Sequence, residues 1–494
     1  MAWWQRKKKP DPKPVQGRIA HKGKRGHFFS TETDRLLEGW DTQSNSIDYY
    51  LNAELTMLRA RSRKMARQNN LGHRYVSLLQ NNVVGEHGIQ IQSQVLAPRG
   101  ERLDDKANKV IESAFEDWGA KHCDYLGERT FVEFQQAVIS ALSTDGEAII
   151  RKHIGAGKYG LQLELVDSEK LDINKTEGST RLGVQRNKSG RVIRYHFKTI
   201  TGYDVNRSYS SSEKFEWEEP AESIMHLYLR EYADQSRGIP WMTPGLERAK
   251  HLEKFTEAAI VRARATASRI AALSTDPDDP YRGDEEAGAG DIQFDITAAG
   301  EVWDLGTKTL QQYDADYPTA MYEPFVKQNI RDVAAGWNVS YQSLSLDLSD
   351  TSFGSARTGI MEEREEYKSK QRWLSRQFVS PIYELWLFAA YNSGMLVFDG
   401  RRTERNISDY YNYRCQPKRW AWIDPAKDSK SNEIELANYT KSRSQIIRET
   451  GGDPETTFAE LAKEKELLDS LGLAVTVNTS DNQDTEEKTD DNDD

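Results

Sequence analysis

The stretch from Tyr322 to Gly394 limits what this chain can fold into more than any other. It alternates a short helical pattern, a polar connection and a much longer helical pattern. The first helix opens at Glu323-Pro324, with proline in the first turn, where a missing N–H costs nothing. Phe325, Val326, Ile330, Val333 and Ala334 then recur on one face, and Gly336 supplies a stop. The connection from Asn338 to Arg357 is rich in Ser, Asp and Gly. From Thr358 to Ser393 the pattern runs for about ten turns at ~3.6 residues each. Charges crowd the first half of this helix (Glu362, Glu363, Glu365, Lys368, Arg372), and apolar residues fill the second (Trp373, Phe378, Tyr383, Trp386). Pro381 inside the pattern predicts a kink. A helix that changes character along its length reads as a spoke joining two environments, not as the core of an enzyme.

Composition narrows the class. Of 494 residues, 37% are hydrophobic and 29% charged, so the chain is poor in core and rich in surface. Disordered ends would explain this, as would an elongated subunit that completes its burial against partners. Twelve Trp and 22 Tyr favour the second, because amphipathic aromatics serve interfaces as well as cores. Two cysteines, Cys123 and Cys415, are too few for a disulfide framework or a Cys-based zinc site and fit a reducing compartment. No apolar run approaches the ~20 residues of a membrane span, and the basic N-terminus lacks the apolar region of a secretory signal, so a soluble intracellular protein is expected. A formal net charge of −11 argues against a protein that coats nucleic acid. It is compatible with a surface past which nucleic acid slides, since phosphate contacts dominate non-specific affinity.

Along the chain, residues 1–40 read as a basic, mostly disordered arm. Ile47 to Val84 is helical, with a break at Asn69-Asn70-Leu71-Gly72 where Asn70 to Gly72 could cap one helix and start the next, and Gly88 to Gln92 alternates like a strand. Leu103 to Trp118 and Thr130 to Thr144 read as helices, Ala148 to Ile154 as a strand. Gly155-Ala156-Gly157-Lys158-Tyr159-Gly160 satisfies G-x-G-x-x-G, but a strand pattern (Leu161 to Val166) follows where a dinucleotide fingerprint needs a helix; a β-hairpin is expected instead. A second hairpin is signalled at Val184 to Phe197 and another strand at Ile224 to Leu229, making Gly85 to Leu229 an α+β region. Pro244 to Leu273 is expected as one alanine-rich helix about 45 Å long at ~1.5 Å per residue. An acidic, glycine-rich insert follows, with short strands expected at Ile292 to Ile296 and Val302 to Leu305. Asn432 to Thr450 and Asp453 to Leu471 read as two amphipathic helices, and residues 473–494 as a disordered acidic tail.

The search for chemistry returns little. There is no P-loop, no H-E-x-x-H, no zinc-spaced Cys/His set and no G-x-S-x-G elbow. The adjacent pair His122-Cys123 is not a nucleophile–base arrangement, since such pairs meet in space and not in sequence. Acidic groups at Asp276/Asp278/Asp279, Asp284/Glu285/Glu286 and Asp347/Asp350 sit in polar loops that hold ligand geometry poorly. No catalytic residue, cofactor or metal is expected.

Several passages together resemble the lambda-type portal proteins of tailed bacteriophages. They are Leu58-Arg59-Ala60-Arg61-Ser62-Arg63, Asn81-Asn82-Val83-Val84-Gly85, Thr144-Asp145-Gly146-Glu147 and Arg237-Gly238-Ile239-Pro240-Trp241. Further on come Tyr322-Glu323-Pro324-Phe325, Ser355-Ala356-Arg357, Pro381-Ile382-Tyr383-Glu384-Leu385-Trp386 and Trp422-Ile423-Asp424-Pro425. Each is weak alone; their order and spacing over about 380 residues are specific. The resemblance implies an elongated α+β portal-type subunit with long stem and wing helices. In it, residues 41–243 form an α+β wing, 244–274 a first stem helix, 275–319 a small clip insert and 320–337 a second stem helix. Residues 338–357 form a tunnel loop, 358–424 the long wing helix and its return, and 425–472 a helical crown.

The implied function is a non-enzymatic ring, usually of twelve copies, at one vertex of the virion head. Double-stranded DNA is packaged and ejected through its channel. The implied partners are a second copy of the chain, the terminase large subunit, the major capsid protein and the head–tail connector, with assembly in the host cytoplasm. Ser343, Ser345, Asp347, Ser349, Asp350 and Ser352 would face DNA, offering hydroxyls and carboxylates but no cations. Asp284, Glu285 and Glu286 would belong to the partner-binding clip. Arg262, Arg264 and Arg269 depart from a cation-poor channel; inter-subunit ion pairs are the favoured reading over channel-facing charges. Two other classes stand beside this one: a scaffold or connector without a DNA channel, and a metal-dependent nuclease.

Overall fold

The computed structural model describes residues 45–97, 102–198, 216–268, 272–275, 308–311, 320–349, 353–398, 407–420, 425–449, 452 and 454–471. The residues from Ile47 onward form one packed unit, and the fold below is that of this unit. The basic arm (residues 1–40), the acidic tail (473–494), the strands expected at 292–296 and 302–305, and the acids at 276–286 lie outside the described residues.

Two helices open the unit, α1 (Ile47–Gln68) and α2 (Asn70–Leu79). The break falls where the sequence places it, but the cap is Asn69, whose side chain accepts from the N–H groups of Leu71 and Gly72 at 3.0 and 3.2 Å. A π turn, Gln80–Val84, ends at Gly85 with φ 81°. Then come β1 (Gln90–Ser93), α3 (Asp105–Lys121) and α4 (Phe131–Asp145). α4 starts with a reciprocal capping box between Thr130 and Glu133 and stops at the left-handed Gly146.

The α+β region holds two antiparallel sheets. The first has the order β3-β2-β8, from β2 (Glu147–Ile154), β3 (Leu161–Val166) and β8 (Ile224–Tyr228). The second runs β4 (Thr180–Arg181), β5 (Val184–Arg186), β6 (Val192–Lys198), β7 (Glu216–Pro220). Both expected hairpins are present. Gly155 donates to the carbonyl of Gly160 at 2.7 Å, closing β2 on β3 with no phosphate-binding helix after it.

α5 (Thr243–Ser268) is shorter than the helix expected to Leu273. Its last expected turn is instead β9 (Ala272–Thr275), paired antiparallel with β10 (Lys308–Gln311). The competing ladder partner lies some 35 residues downstream, where local periodicity has no view of it. Next come α6 (Tyr322–Gly336), α7 (Tyr341–Ser345) and α8 (Phe353–Leu374). The connection read as a plain polar loop therefore contains a helical turn, capped by Ser340, with Leu344 buried beneath it.

A π turn at Ser375–Val379 joins α8 to α9 (Ser380–Asn392). The disturbance expected at Pro381 is this widened turn just before it. Proline offers no N–H to the carbonyl of Gln377, and an i→i+5 turn lets the helix continue past the lost bond. β11 (Tyr413–Gln416) pairs with β1 across more than 300 residues. The helix expected over Asn432 to Thr450 is two, α10 (Pro425–Ala437) and α11 (Arg443–Glu449), split at Tyr439 with φ 57°. Lys441 closes the corner with contacts to Glu435 and Glu449 at 3.1 and 2.5 Å. α12 (Pro454–Ser470) follows.

The main core joins α3, α4 and α9 through aromatic side chains. Phe115 meets Trp386 and Tyr383 edge-on at 4.9 and 5.3 Å, and Phe131 lies 5.8 Å from Phe378. Trp118, fully buried, donates its indole N–H to the carbonyl of Leu161 at 2.9 Å. The apolar half of the long helix is thus the part that enters the core.

Candidate functional site

Three of the sequence passages singled out above meet around one carboxylate. Glu147 opens β2 and is fully buried. It accepts from Arg59 at 2.6 Å, from Arg237 at 2.6 and 3.0 Å, from the backbone N–H of Gly238 at 3.0 Å, and pairs with His226 Nε2 at 2.9 Å. Spare guanidinium protons go to carbonyls: Arg59 to Asp145 and Ser168, Arg237 to Leu182 and Leu171. Complete burial alone would raise the pKa of Glu147, but Arg237, Arg59 and His226 hold it well below the usual carboxylate range. Burial lowers Arg59 to about 10 against the pull of Glu147, and lowers His226 below its ordinary value. One turn along α1, Arg63 grips Asp145 through two bonds of 2.7 Å.

The cluster fixes where α5 begins. Gly146 and Gly238 are in backbone contact: a Cβ on Gly238 would stand 2.0 Å from the carbonyl oxygen of Gly146, and one on Gly146 2.2 Å from the carbonyl carbon of Ile239. The turn after α4 is thereby clamped to Gly238-Ile239-Pro240, just ahead of α5. α5 and α6 run antiparallel from that point. Trp337, at the end of α6, donates to the carbonyl of Met242 at 2.9 Å and stacks on Tyr75 of α2 at 5.0 Å. At the far end Phe255 meets Phe325 and Tyr322 at 4.9 and 5.9 Å. Beyond these, Ile260 and Val261 of α5 and Met321 next to α6 are exposed, the last at 73%.

The turn α7 is tied to α8 through Glu363. This nearly buried carboxylate accepts from the hydroxyls of Ser340 at 2.8 Å, Ser343 at 2.6 Å and Tyr367 at 2.5 Å. Burial first, then the facing carboxylate, raises the pKa of Tyr367. Of the residues expected to face DNA, Ser343 thus donates inward, and Ser345 donates to the carbonyl of Tyr341. Asp347 accepts from Tyr341 and Ser349 at 2.7 and 2.6 Å and lies 3.6 Å from Lys327. Those hydrogen bonds, the ones from Ser349 foremost, hold Asp347 below the usual carboxylate range. The side chains most open at the tip are Leu346 and Leu348, 68% and 67% exposed, the first with φ 60°. Asp350 and Ser352 lie outside the described residues, as do Arg269, Asp284, Glu285 and Glu286. Arg262 and Arg264 are exposed on the last turns of α5.

A family model described as "Phage portal protein, lambda family" matches residues 33–371. The chain belongs to that family. The matched span contains the Glu147 cluster, both helices of the antiparallel pair and most of α8. A probable portal protein of Halomonas phage phiHAP-1 is 28% identical over 462 residues, covering 90% of this chain and 87% of that protein. Portal protein B of Escherichia phage lambda is 22% identical over 387 residues, covering 71% of this chain and 72% of that protein. Among solved structures, a chain from the virion of a native gene transfer agent particle is similar at TM-score 0.43 and 12% identity, covering 80% of this chain and 93% of that one.

Two residues organise this portal chain whose role the sequence reading did not assign, Glu147 standing there only within a family passage and Glu363 only among the charges of the long helix. Glu147 had a signal: a lone carboxylate heading the apolar run Ala148-Ile149-Ile150, with Arg237 beside Gly238-Ile239-Pro240 as a second charge in apolar company. Glu363 had none, because it stands among Glu362, Glu365 and Glu366 on a charged helix face. No helix among the described residues is long and apolar enough to cross a membrane.

Proposed function

We propose that this portal chain assembles as a ring homo-oligomer, a dodecamer on the family's plan, whose central channel passes double-stranded DNA during packaging and ejection. Its role is structural and not enzymatic. The observation that carries the reading is the apolar row left open on the antiparallel helices: Phe255, Ile260, Val261, Met321 and Phe325 are all more than a third exposed in the single chain. Apolar groups so arrayed call for a second copy. α5 and α6 serve as stem helices, residues 275–319 as the clip, 41–243 as the wing, 358–424 as the long wing helix with its return and 425–472 as the crown.

The tunnel loop, residues 338–357, borders the DNA. Its polar groups Ser343, Ser345, Asp347 and Ser349 are largely committed to internal bonds, and Leu346 and Leu348 offer a surface without cations. Such a surface lets a phosphate backbone pass without gripping it. Asp350 and Ser352 belong to the same loop. Arg262, Arg264 and Arg269 take part in ion pairs between neighbouring copies. Asp284, Glu285 and Glu286 meet the terminase large subunit and then the head–tail connector, and the wing meets the major capsid protein at the portal vertex of the virion.

The test is assembly of the purified full chain, followed by electron microscopy in negative stain. Rings with a central channel are expected. Replacement of Ile260 and Val261 by serine should leave folded single chains that no longer close into rings. Folded monomers alone under every assembly condition would sink the proposal.

A further inference from the structure

Away from the helices just described, β1, β11 and the turn between α11 and α12 enclose a cavity of about 320 Å³. It is strongly cationic. Arg414 and Arg419 come from β11 and the segment after it, Lys418 lies between them, and Arg448 enters from the end of α11; His87 and one acid, Glu86, complete the charged lining. Lys418 is engaged, donating to the carbonyl of Asn81 at 2.7 Å. Arg414, Arg419 and Arg448 make no hydrogen bond or ion pair through their side chains among the described residues. Burial first, then the nearby Arg364, lowers the pKa of Lys418, in keeping with a local surplus of positive charge. Three exposed arginines with no side-chain partner among the described residues line this concave space, and a site so charged suits an anion.

We infer that the occupant is the chain's own acidic segment, residues 481–494. That stretch holds eight carboxylates (Asp481, Asp484, Glu486, Glu487, Asp490, Asp491, Asp493, Asp494) against one lysine. Its tether starts at the site: Gly452 lines the cavity and α12 begins two residues later. α12 carries the chain about 25 Å away at ~1.5 Å per residue. Residues 472–494 extend to roughly 75 Å at ~3.3 Å per residue, ample for a return. Tethering raises the effective concentration to about the millimolar range, so individually weak surface ion pairs suffice. The shape of the site also favours a peptide. Duplex DNA is tracked by basic stripes along a face, whereas these cations line one concave space with room for a few carboxylate side chains.

Zero-length carbodiimide coupling of the full chain at low salt, read by mass spectrometry, tests this directly. The expected product joins the Lys418 amine to carboxylates of residues 481–494. Its yield should fall roughly tenfold in the triple variant Arg414→Glu, Arg419→Glu, Arg448→Glu, which keeps Lys418, and should also fall with added salt. Should that variant fail to fold, amidation of the segment (its Asp and Glu changed to Asn and Gln) provides a second arm. There, binding of a short duplex DNA, read by fluorescence anisotropy at low salt, should strengthen as the cavity is uncovered. No Lys418 coupling to residues 481–494, or coupling unmoved by salt, overturns the inference. So does duplex binding that the amidated segment leaves unchanged, which would make the cavity a nucleic-acid contact. Ring formation is a separate readout, so failure here leaves the stem-helix proposal intact.

Discussion

Gly245 and Gly336 let α5 and α6 touch backbone to backbone: a Cβ on Gly336 would stand 3.0 Å from the Cα of Gly245. A Cβ on Gly245 would stand 2.6 Å from the indole nitrogen of Trp337, the group that donates to Met242. Neither glycine is needed for its torsion angles, since both are helical; both are needed for the closeness of the crossing. Gly245→Ala should therefore push Trp337 off its hydrogen bond and cost about 1–3 kcal/mol, the usual range for overpacking. A urea melt followed by tryptophan fluorescence checks it. Gly354→Ala, at a helical glycine whose added Cβ would meet nothing within 4 Å, should cost nothing or stabilise slightly.

The Glu147 cluster sets a larger stake. Glu147→Gln leaves Arg59 and Arg237 buried without the carboxylate they share, and breaking such a group by removing one member costs about 3–5 kcal/mol. The combined variant Arg59→Met, Glu147→Gln, Arg237→Met removes the charges together and should recover much of the loss. Chemical denaturation of the wild type and both variants decides the matter: equal destabilisation of the two would show that the ionic contacts themselves, and not the stranded charges, carry the energy.

His226 makes stability depend on pH in a defined direction. In the unfolded chain it titrates near its ordinary 6.5, and in the fold burial lowers it, with Arg237 and Arg59 adding repulsion against the pull of Glu147. Below that value the unfolded chain binds more protons than the native one, so stability rises with pH and is lost as pH falls through the window under 6.5. Glu147, whose folded pKa is depressed, adds stability that is present above its ordinary 4.5 and lost only at lower pH. The thermal midpoint of the wild type should drop between about pH 7.5 and about pH 5.5. His226→Gln, neutral throughout, should show a flatter profile over that interval.

What the sequence revealed and what it hid follow from the range of the forces involved. The helix opening at Thr130, the two glycine-bounded hairpins and the break beside Asn69 depend on neighbours within a few residues, and they stand where periodicity and turn chemistry place them. β11 pairs with β1 over more than 300 residues, and β9 ends α5 early because β10 lies across from it. No local pattern encodes those partners. The residues of the 338–357 connection show the same divide: their polarity is plain in the sequence, but whether Ser343 turns outward depends on Glu363, twenty residues on. The passages that marked the family were legible as motifs, while the meeting of three of them around Glu147 needed three dimensions.

Glu363 gives the loop a testable handle. Its carboxylate is the common acceptor for Ser340, Ser343 and Tyr367, and Ser340 is also the N-cap of α7. Glu363→Ala strands these donors, and a buried hydroxyl without an acceptor costs about 1–3 kcal/mol. Because α7 has only five residues, it cannot persist on its own hydrogen bonds, so the loss should appear as local opening before global unfolding. Amide hydrogen exchange at Leu344 and Ser345 should accelerate by roughly ten- to a hundredfold, at about 1.4 kcal/mol per tenfold, while the β2–β3 hairpin exchanges as before. Glu363→Gln keeps one carbonyl acceptor and should fall between the two. If exchange in α7 is instead unchanged in Glu363→Ala, the turn is held by the burial of Leu344 and by the Arg74 bond to the Ser343 carbonyl at 3.0 Å, and the hydroxyl contacts serve only to satisfy Glu363.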